Sequence, residues 1–390
     1  MHILILPSAF PNDYNVYAGI FYQQMSISLH ESGIQTGVIA PDVRPFKEVF
    51  SLAQWRQFGQ FNAYALKEKL PVLRKTAINI LPRFKYFNQW IAARYTLELF
   101  EKYIAKHGKP DLVHAHAGMW GGWEALKIKE KYDIPYVITE HSSAFLKQTL
   151  SRNDLNIHRK IYEKAEKIMA VSNALKVAIQ SKFDFDIEVV PNFIDTSLYS
   201  LRIANKIPKK IFAVGNLLKT KGFDILIQAF AKCLAVHPEM KLTIAGTGPE
   251  KDALIALANS LNLKEKVFFT GALSPEDVSI AMQKSDIFVS ASLFETFGVS
   301  IIEAMACGIP VVATKCGGPE EIVQNETGIL CEKNDVEGLY NAILYVYEHF
   351  EKYEVQKIRQ VVENRFSKHS IIERLKNIYL THGDGAKKNQ

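Results

Sequence analysis

A chain of 390 residues, 48% hydrophobic and 23% charged, has room for two globular cores and the apolar content to fill them. No run of about eighteen apolar residues exists, so no membrane-spanning helix is expected. The four cysteines, Cys233, Cys307, Cys316 and Cys331, form no CxxC pair and read as reduced, buried thiols. The net charge of +6 lies in residues 1–205, with 25 basic against 19 acidic residues; the remainder carries 22 of each.

HILILP (2–7) is an apolar run of strand length, and MHILILPSAF lacks the charged start of a signal peptide. Gly19 then enters a stretch with helical apolar spacing that Gly33 ends, and TGVIAP (36–41) is the next strand. Strand, glycine loop, helix and strand make a βαβ unit of a parallel sheet. Residues 45–108 are less regular, with Pro71 and Pro82 and one clear helical segment, QWIAARYTLELFEKYIAK. Within them, residues 67–97 hold Lys67, Lys69, Arg74, Lys75, Arg83, Lys85 and Arg94 against Glu68 alone, interleaved with Phe84, Tyr86, Phe87, Trp90 and Tyr95. Such a face suits an anionic membrane surface, or is a solvated helix face over core aromatics. No recognised nucleic-acid module accompanies it.

Strands follow at DLVHAH (111–116) and PYVITEHSS (135–143), then a charged helix over 156–168. KIMAVSNALKVAIQSK (167–182) gives a strand, Ser172 as N-cap and a helix. IEVVPN (187–192) closes the first half, and 193–209 reads as a linker. Strand–loop–helix alternation restarts at KIFAVGN (210–216), which predicts a second doubly wound domain. The tail 383–390 is expected to be disordered.

The densest stretch is 293–321, LFETFGVSIIEAMACGIPVVATKCGGPEE. Phe297-Gly298-Val299 leads into a short apolar helix that Gly308 stops, and Pro310 forbids its return. IPVVAT is a buried strand. Gly317-Gly318 then precedes Pro319, with Glu320 and Glu321 in a first helical turn. Glu295 lies just before the helix start at Gly298, and Glu303 lies in its second turn. Free N–H groups at such an end suit phosphate, and a carboxylate beside them suits a sugar diol. The combination points to a sugar nucleotide. Glu303, flanked by Ile301, Ile302, Ala304 and Met305, does not look like a residue of a solvated face.

The strings AVGNLLKTKGFDILIQAF, LTIAGTGPE, VFFTGALS and SDIFVSASLFETFGVSIIEAMACGIPVVATKCGGPEEIV resemble glycosyltransferase family 4, the retaining GT-B transferases; DLVHAH, TEH, AVSN, VVPNFIDTSLYS and GIFYQQ also fit. The resemblance implies an α/β chain of two Rossmann-like domains across a cleft. Residues 1–200 would bind acceptor and 206–365 the nucleotide sugar, with 366–382 crossing back onto the first domain. It implies Glu303 on the ribose, Glu295 at the sugar ring, and backbone amides of Phe297, Gly298 and Val299 on sugar and diphosphate. Lys221 would meet the diphosphate and His141 the donor sugar. The loops at Gly215, Gly246, Gly248, Gly271, Ala272 and Leu273 would meet the base, and Gly19 lies at the donor edge of the first domain. Where the family usually carries an arginine, this chain has Asn216, so Lys219 compensates or one cation is lost. His116 is expected as an acceptor-cleft residue and His114 as packing. Asp184-Phe185-Asp186 mimics a DxD metal motif that GT-B enzymes do not use.

The implied activity is retaining, metal-independent hexosyl transfer without a cofactor. The donor would be a nucleoside-diphosphate sugar, a UDP-sugar first and GDP-mannose second. The acceptor would be a glycan or lipid-linked oligosaccharide in surface polysaccharide assembly, at a cytoplasmic site or the inner membrane face. Nucleotide-sugar epimerisation and non-catalytic binding of a sugar nucleotide are the rival readings.

Overall fold

The computed structural model describes residues 1–12, 16–45, 60–66, 70–79, 84–202 and 209–383, the side chains of 43–45 and 77–79 excepted. The chain divides into two compact units. The first comprises Met1–Val171, Lys176–Val190 and Ile372–Gln390; the second comprises Ser172–Leu175 and Pro191–Ile371.

The first unit is built on a sheet whose central strands are apolar on both faces. β1 (His2–Leu6), β6 (Leu112–His116) and β7 (Tyr136–Glu140) are buried at all five positions. Strands covered by helices on both sides need such continuous runs. β2 (Gln35–Ile39), β3 (Asp42–Pro45), β4 (Phe61–Leu66), β5 (Leu70–Asn79), β8 (Lys167–Ala170) and β9 (Ile187–Val189) complete it. The order is β3-β5-β2-β1-β6-β7-β8-β9, parallel throughout, with β4 antiparallel to β5. Order reverses between β1 and β6, so loops after these strands open at a switch point.

The stretch expected to be irregular from residue 45 thus contains a hairpin. Pro71 sits opposite Ala65 and just before β5 joins β2 at Val72. Proline is tolerated there, near the strand start, where its missing N–H removes no central ladder bond.

The second unit carries six parallel strands: β10 (Lys210–Val214), β11 (Lys241–Ala245), β12 (Val267–Gly271), β13 (Ile287–Ser290), β14 (Val311–Lys315) and β15 (Gly328–Glu332). Their order is β12-β11-β10-β13-β14-β15, the doubly wound pattern with its switch point between β10 and β13. Helix Phe223–Val236 follows β10 and helix Val299–Ala306 follows β13. Both are mostly buried, which explains their nearly unbroken apolar composition. Both units are therefore doubly wound α/β layers, as the strand and helix alternation predicts.

Candidate active site

In the second unit, the loops leaving β10, β13 and β14 are locked together by backbone. Gly222 adopts φ 62°, and a Cβ there would stand 2.1 Å from the Ala291 carbonyl oxygen. Only glycine lets the β10 loop lie against the end of β13. Leu293 N–H donates to Thr220 O at 2.8 Å across the same seam. On the other side, Glu295 N–H donates to Cys316 O at 3.1 Å and Gly318 N–H donates to Glu295 O at 2.8 Å. Gly318 has no room for a side chain, because a Cβ would meet Phe297 O at 2.2 Å. Glu295 is thus held by its own backbone between two loops.

Its carboxylate faces Lys221. Lys221 Nζ donates to Glu295 Oε2 at 2.5 Å, and the two side chains are 29% and 18% exposed. Lys221 ends a 3-10 turn, Lys219–Lys221, placed by β10. Gly298 then opens helix Val299–Ala306 with φ 113°. The N–H groups of Ile301 and Ile302 return to Gly298 O. The N-terminus of this helix offers positive partial charge to an anion.

Glu303 sits half-buried in the second turn, and Tyr199 Oη donates to its Oε1 at 2.8 Å. Burial pushes the Glu303 carboxyl up, opposed by the bond from Tyr199. Tyr199 is itself anchored, since Arg359 donates to the Tyr199 and Thr196 carbonyls. The remaining expected donor residues are backbone features. Gly246, at φ 137°, packs on Gly215, whose carbonyl oxygen lies 1.9 Å from a Cβ placed there; Gly248 presses on Leu217 O in the same way. Gly246 N–H donates to Gly271 O at 2.7 Å, tying β11 to β12. Asn216, Lys219 and Ala272 are exposed and Leu273 half-buried.

In the first unit, the polar groups of β6 and β7 form a buried network. His114 is fully buried, with its Nδ1 meeting Tyr379 Oη at 2.6 Å and Nε2 meeting Thr139 Oγ1 at 2.8 Å. It is a packed histidine with both nitrogens bonded. His116 differs from expectation: it is 1% exposed and lines no open surface. Its position on a strand covered on both faces accounts for that. Its Nδ1 meets His141 Nε2 at 3.0 Å, while its Nε2 has no partner among the described residues. The half-buried His141 thus stands in front of His116. Burial lowers His114 to about 3 and His141 to about 4, and pushes His116 well down, so the cluster is neutral at pH 7. The Tyr22 ring packs against both His116 and His141, with centroids 4.9 and 5.2 Å away. Gly19, at φ 64°, starts the helix that carries Tyr22 and allows it to approach Ala9 O.

Neighbours on a strand point to opposite faces, so Glu140 and His141 need not act together. The Glu140 carboxylate nevertheless reaches the backbone that carries His141. Glu140 Oε1 accepts from His141 N–H at 2.9 Å and Ser142 N–H at 2.8 Å; Oε2 accepts from Gly118 N–H and Tyr162 Oη, both at 2.9 Å. Polar residues inside a continuous apolar strand were the available signal for this network. Tyr22 and Tyr199 lie in the strings GIFYQQ and VVPNFIDTSLYS, but no spacing shows their contacts, since each reaches its partners from a distant element. The Ser172 hydroxyl does accept from Leu175 N–H at 3.1 Å at a helix start, and Asp186 of the DxD mimic pairs with Lys167 at 2.8 Å.

Sequence comparison decides the family. Residues 18–198 match the model of Glycosyltransferase Family 4, and residues 202–361 match that of Glycosyl transferases group 1. The chain belongs to the family 4, group 1 glycosyltransferases. It is 28% identical over 303 residues to the N-acetyl-alpha-D-glucosaminyl L-malate synthase of Bacillus anthracis, covering 73% of this chain and 79% of that one. It is 24% identical over 364 residues to the putative teichuronic acid biosynthesis glycosyltransferase TuaC of Bacillus subtilis, covering 90% of each. The crystal structure of Anabaena HepE in complex with UDP and glucose aligns with TM-score 0.74 at 20% identity, over 97% of this chain and 99% of that one. The fold of this glycosyltransferase is accordingly of the GT-B type.

Proposed function

We propose that this glycosyltransferase moves a hexose, with retention and without a metal, from a nucleoside-diphosphate sugar to a glycan or lipid-linked acceptor in surface polysaccharide assembly. The observation that carries this reading is the Lys221–Glu295 pair beside the helix opening at Gly298, with Glu303 one turn further on. Lys221 and the helix N-terminus supply positive charge where a leaving diphosphate gathers negative charge. Glu303 supplies acceptor oxygens for the ribose hydroxyls and Glu295 for the sugar. By the family resemblance His141 also meets that sugar, and the amides of Phe297, Gly298 and Val299 the phosphates.

The reaction breaks the bond between the anomeric carbon and the diphosphate oxygen. The acceptor oxygen attacks the same face, and its proton passes to the departing phosphate. UDP is the first choice of nucleotide, supported by the UDP in HepE, and GDP-mannose the second. Asn216 and Lys219 are both exposed, so Lys219 replaces the cation of the family pattern or the diphosphate is held with one fewer. Thermal-shift measurement with UDP, GDP, ADP and their sugars ranks the donors, since a ligand of the folded state alone raises Tm by its affinity. Donor turnover lost in Glu295→Ala and Lys221→Ala is expected; tight donor binding without turnover on any acceptor overturns the catalytic reading.

Membrane contact is proposed through the aromatic part of the basic segment. Lys67, Lys69 and Arg83 lie outside the described residues. Arg74 is buried, Lys75 and Lys85 pair with Glu98 and Asp154 at 2.5 and 2.6 Å, and the exposed Arg94 lies over the Trp90 ring. Phe84, Tyr86, Phe87 and Trp90 are 60%, 38%, 44% and 54% exposed at the start of helix Lys85–His107, Phe84 as its N-cap. An interfacial site at the inner membrane face therefore rests on aromatic insertion more than on charge. Among the described residues no helix is long and apolar enough to cross a membrane. Flotation with liposomes of neutral and of anionic lipid tests the contact, and no binding to either removes it.

A further inference from the structure

His116 and His141 meet ring nitrogen to ring nitrogen, Nδ1 to Nε2 at 3.0 Å. Burial holds both rings neutral near pH 7. A neutral imidazole has one N–H and one lone pair, so one ring donates across this contact and the other accepts. Two pairings satisfy that. In the first, His141 donates from Nε2 and His116 carries its own proton on Nε2. In the second, His116 donates from Nδ1 and His141 carries its proton on Nδ1.

The surroundings of His116 separate the two. It ends β6, 1% exposed, and its Nε2 is buried with no partner among the described residues. The rings of Tyr22 and His114 pack on it, with centroids 4.9 and 4.2 Å away. Neither supplies an acceptor: the Tyr22 hydroxyl meets Ser8 Oγ at 3.0 Å, and both His114 nitrogens are engaged by Tyr379 and Thr139. The first pairing would bury an N–H with nothing to accept it, whereas the second buries only a lone pair. Buried N–H groups without an acceptor are the rarer fault in folded proteins. The second pairing leaves His141 with its N–H at Nδ1. That nitrogen makes no hydrogen bond among the described residues, and the half-buried ring is steadied by Tyr22, edge-on at 5.2 Å, and through its backbone by Glu140. We propose that His116 is a positioning residue that fixes the tautomer of His141, so that His141 offers an N–H, not a lone pair, to an oxygen of its ligand.

The proposal rests on the reading of His141 as a contact of the donor sugar, and limits that contact to sugar oxygens that accept. Long-range proton–nitrogen NMR on the full chain with isotope-labelled histidine reads the tautomer directly, His141 being assigned by its loss in His141→Gln. Free histidine favours the Nε2–H form, so an Nδ1–H signal at His141 is imposed by the site. That signal is expected in the wild type and in His116→Asn, whose amide can donate in place of Nδ1. His116→Leu removes the donor and is expected to return His141 to mainly Nε2–H. It should also lower kcat/KM for the donor about tenfold, the usual effect of one hydrogen bond, with His116→Asn within severalfold of wild type. An Nε2–H form in the wild type, or a tautomer unchanged in His116→Leu, overturns the proposal. The wild-type spectrum needs no variant, so it decides the matter even where His116→Leu fails to fold. Absence of a UDP thermal shift or of donor turnover in the wild type would instead strike the donor reading, and the tautomer of His141 would still be read by itself.

Discussion

Glu140 is the residue whose replacement should reveal most about how the first unit holds His141. Its two oxygens accept four hydrogen bonds, from the N–H groups of Gly118, His141 and Ser142 and from Tyr162 Oη. These fasten the turn after β6 and the turn after β7 to one carboxylate. Glu140→Gln keeps the shape but retains one acceptor oxygen. The new NH2 must face either two backbone donors or the Gly118 donor with Tyr162. In the gentler case Tyr162 reverses to accept and one backbone N–H is left unpaired, at about 1–3 kcal/mol. Glu140→Ala abandons all four, of which the Gly118 and Tyr162 donors are fully buried, for a loss of roughly 2–6 kcal/mol on the same scale. The chain suits the measurement, because Trp55, Trp90, Trp120 and Trp123 all lie in the first unit, so tryptophan fluorescence in urea reports that unit alone. The expected result is a lower midpoint at unchanged slope, with Tyr162→Phe non-additive with Glu140→Gln in a double-mutant cycle. A Glu140→Gln loss under about 0.5 kcal/mol, within the range of ordinary surface substitutions, would refute the anchoring argument.

Lys221→Met should lower kcat by about 100- to 1,000-fold, the usual effect of losing one charge-stabilising donor, while costing under about 1 kcal/mol of stability because the pair with Glu295 is partly solvated; a kcat within severalfold of wild type would show that the diphosphate does not depend on it. Tyr199→Phe leaves Glu303 Oε1 without its donor and should cost about 1–3 kcal/mol in urea unfolding, read by far-UV circular dichroism because the second unit has no tryptophan. His114 and His141 have folded pKa values below the 6.5 of the free side chain, so their contribution to stability is complete above pH 6.5 and is lost as pH falls toward 3 and 4 respectively. Between pH 7.5 and 5 each should cost roughly 1–2 kcal/mol of first-unit stability. The buried Glu124, raised to about 7, gains stability over the same interval, so the test is run in Glu124→Gln, where a fluorescence-detected midpoint that stays flat would contradict the burial of these rings.

Much of the architecture was legible because parallel sheets write themselves as apolar runs. HILIL, LVHAH and KIFAV each became central strands, and the glycines between strand and helix fell where chains approach closely. Gly222 and Gly318 show why: their neighbours' carbonyls leave no space for a Cβ, so their placement in the sequence carries structural information directly. The hairpin of β4 and β5 was not legible, because β4 is exposed along most of its length and shows no two-sided apolar pattern. Glu295 and Glu303 were legible through their spacing around Gly298, and Lys221 only through the resemblance that its string carries. The ion pair between Lys221 and Glu295 was not, since it depends on two loops 74 residues apart meeting at one sheet edge.

The two units organise their polar groups by opposite means, and this bears on how each should tolerate change. The second unit uses backbone: Gly215, Gly246, Gly271 and Gly318 bring carbonyls and N–H groups together, and one ion pair supplies the charge. The first unit uses buried side chains, with His114, His116, Thr139 and Glu140 on adjacent strands and their partners Tyr22, Tyr162 and Tyr379 on three separate helices. A network of that kind holds its members in fixed tautomers only while each partner remains in place, because an unpaired buried polar group is costly. Conservative side-chain changes should therefore damage the first unit through loss of rigidity, and the second through loss of charge. In the second unit the structurally intolerant positions include Gly222, Gly246, Gly248 and Gly318, where any side chain collides with a carbonyl oxygen.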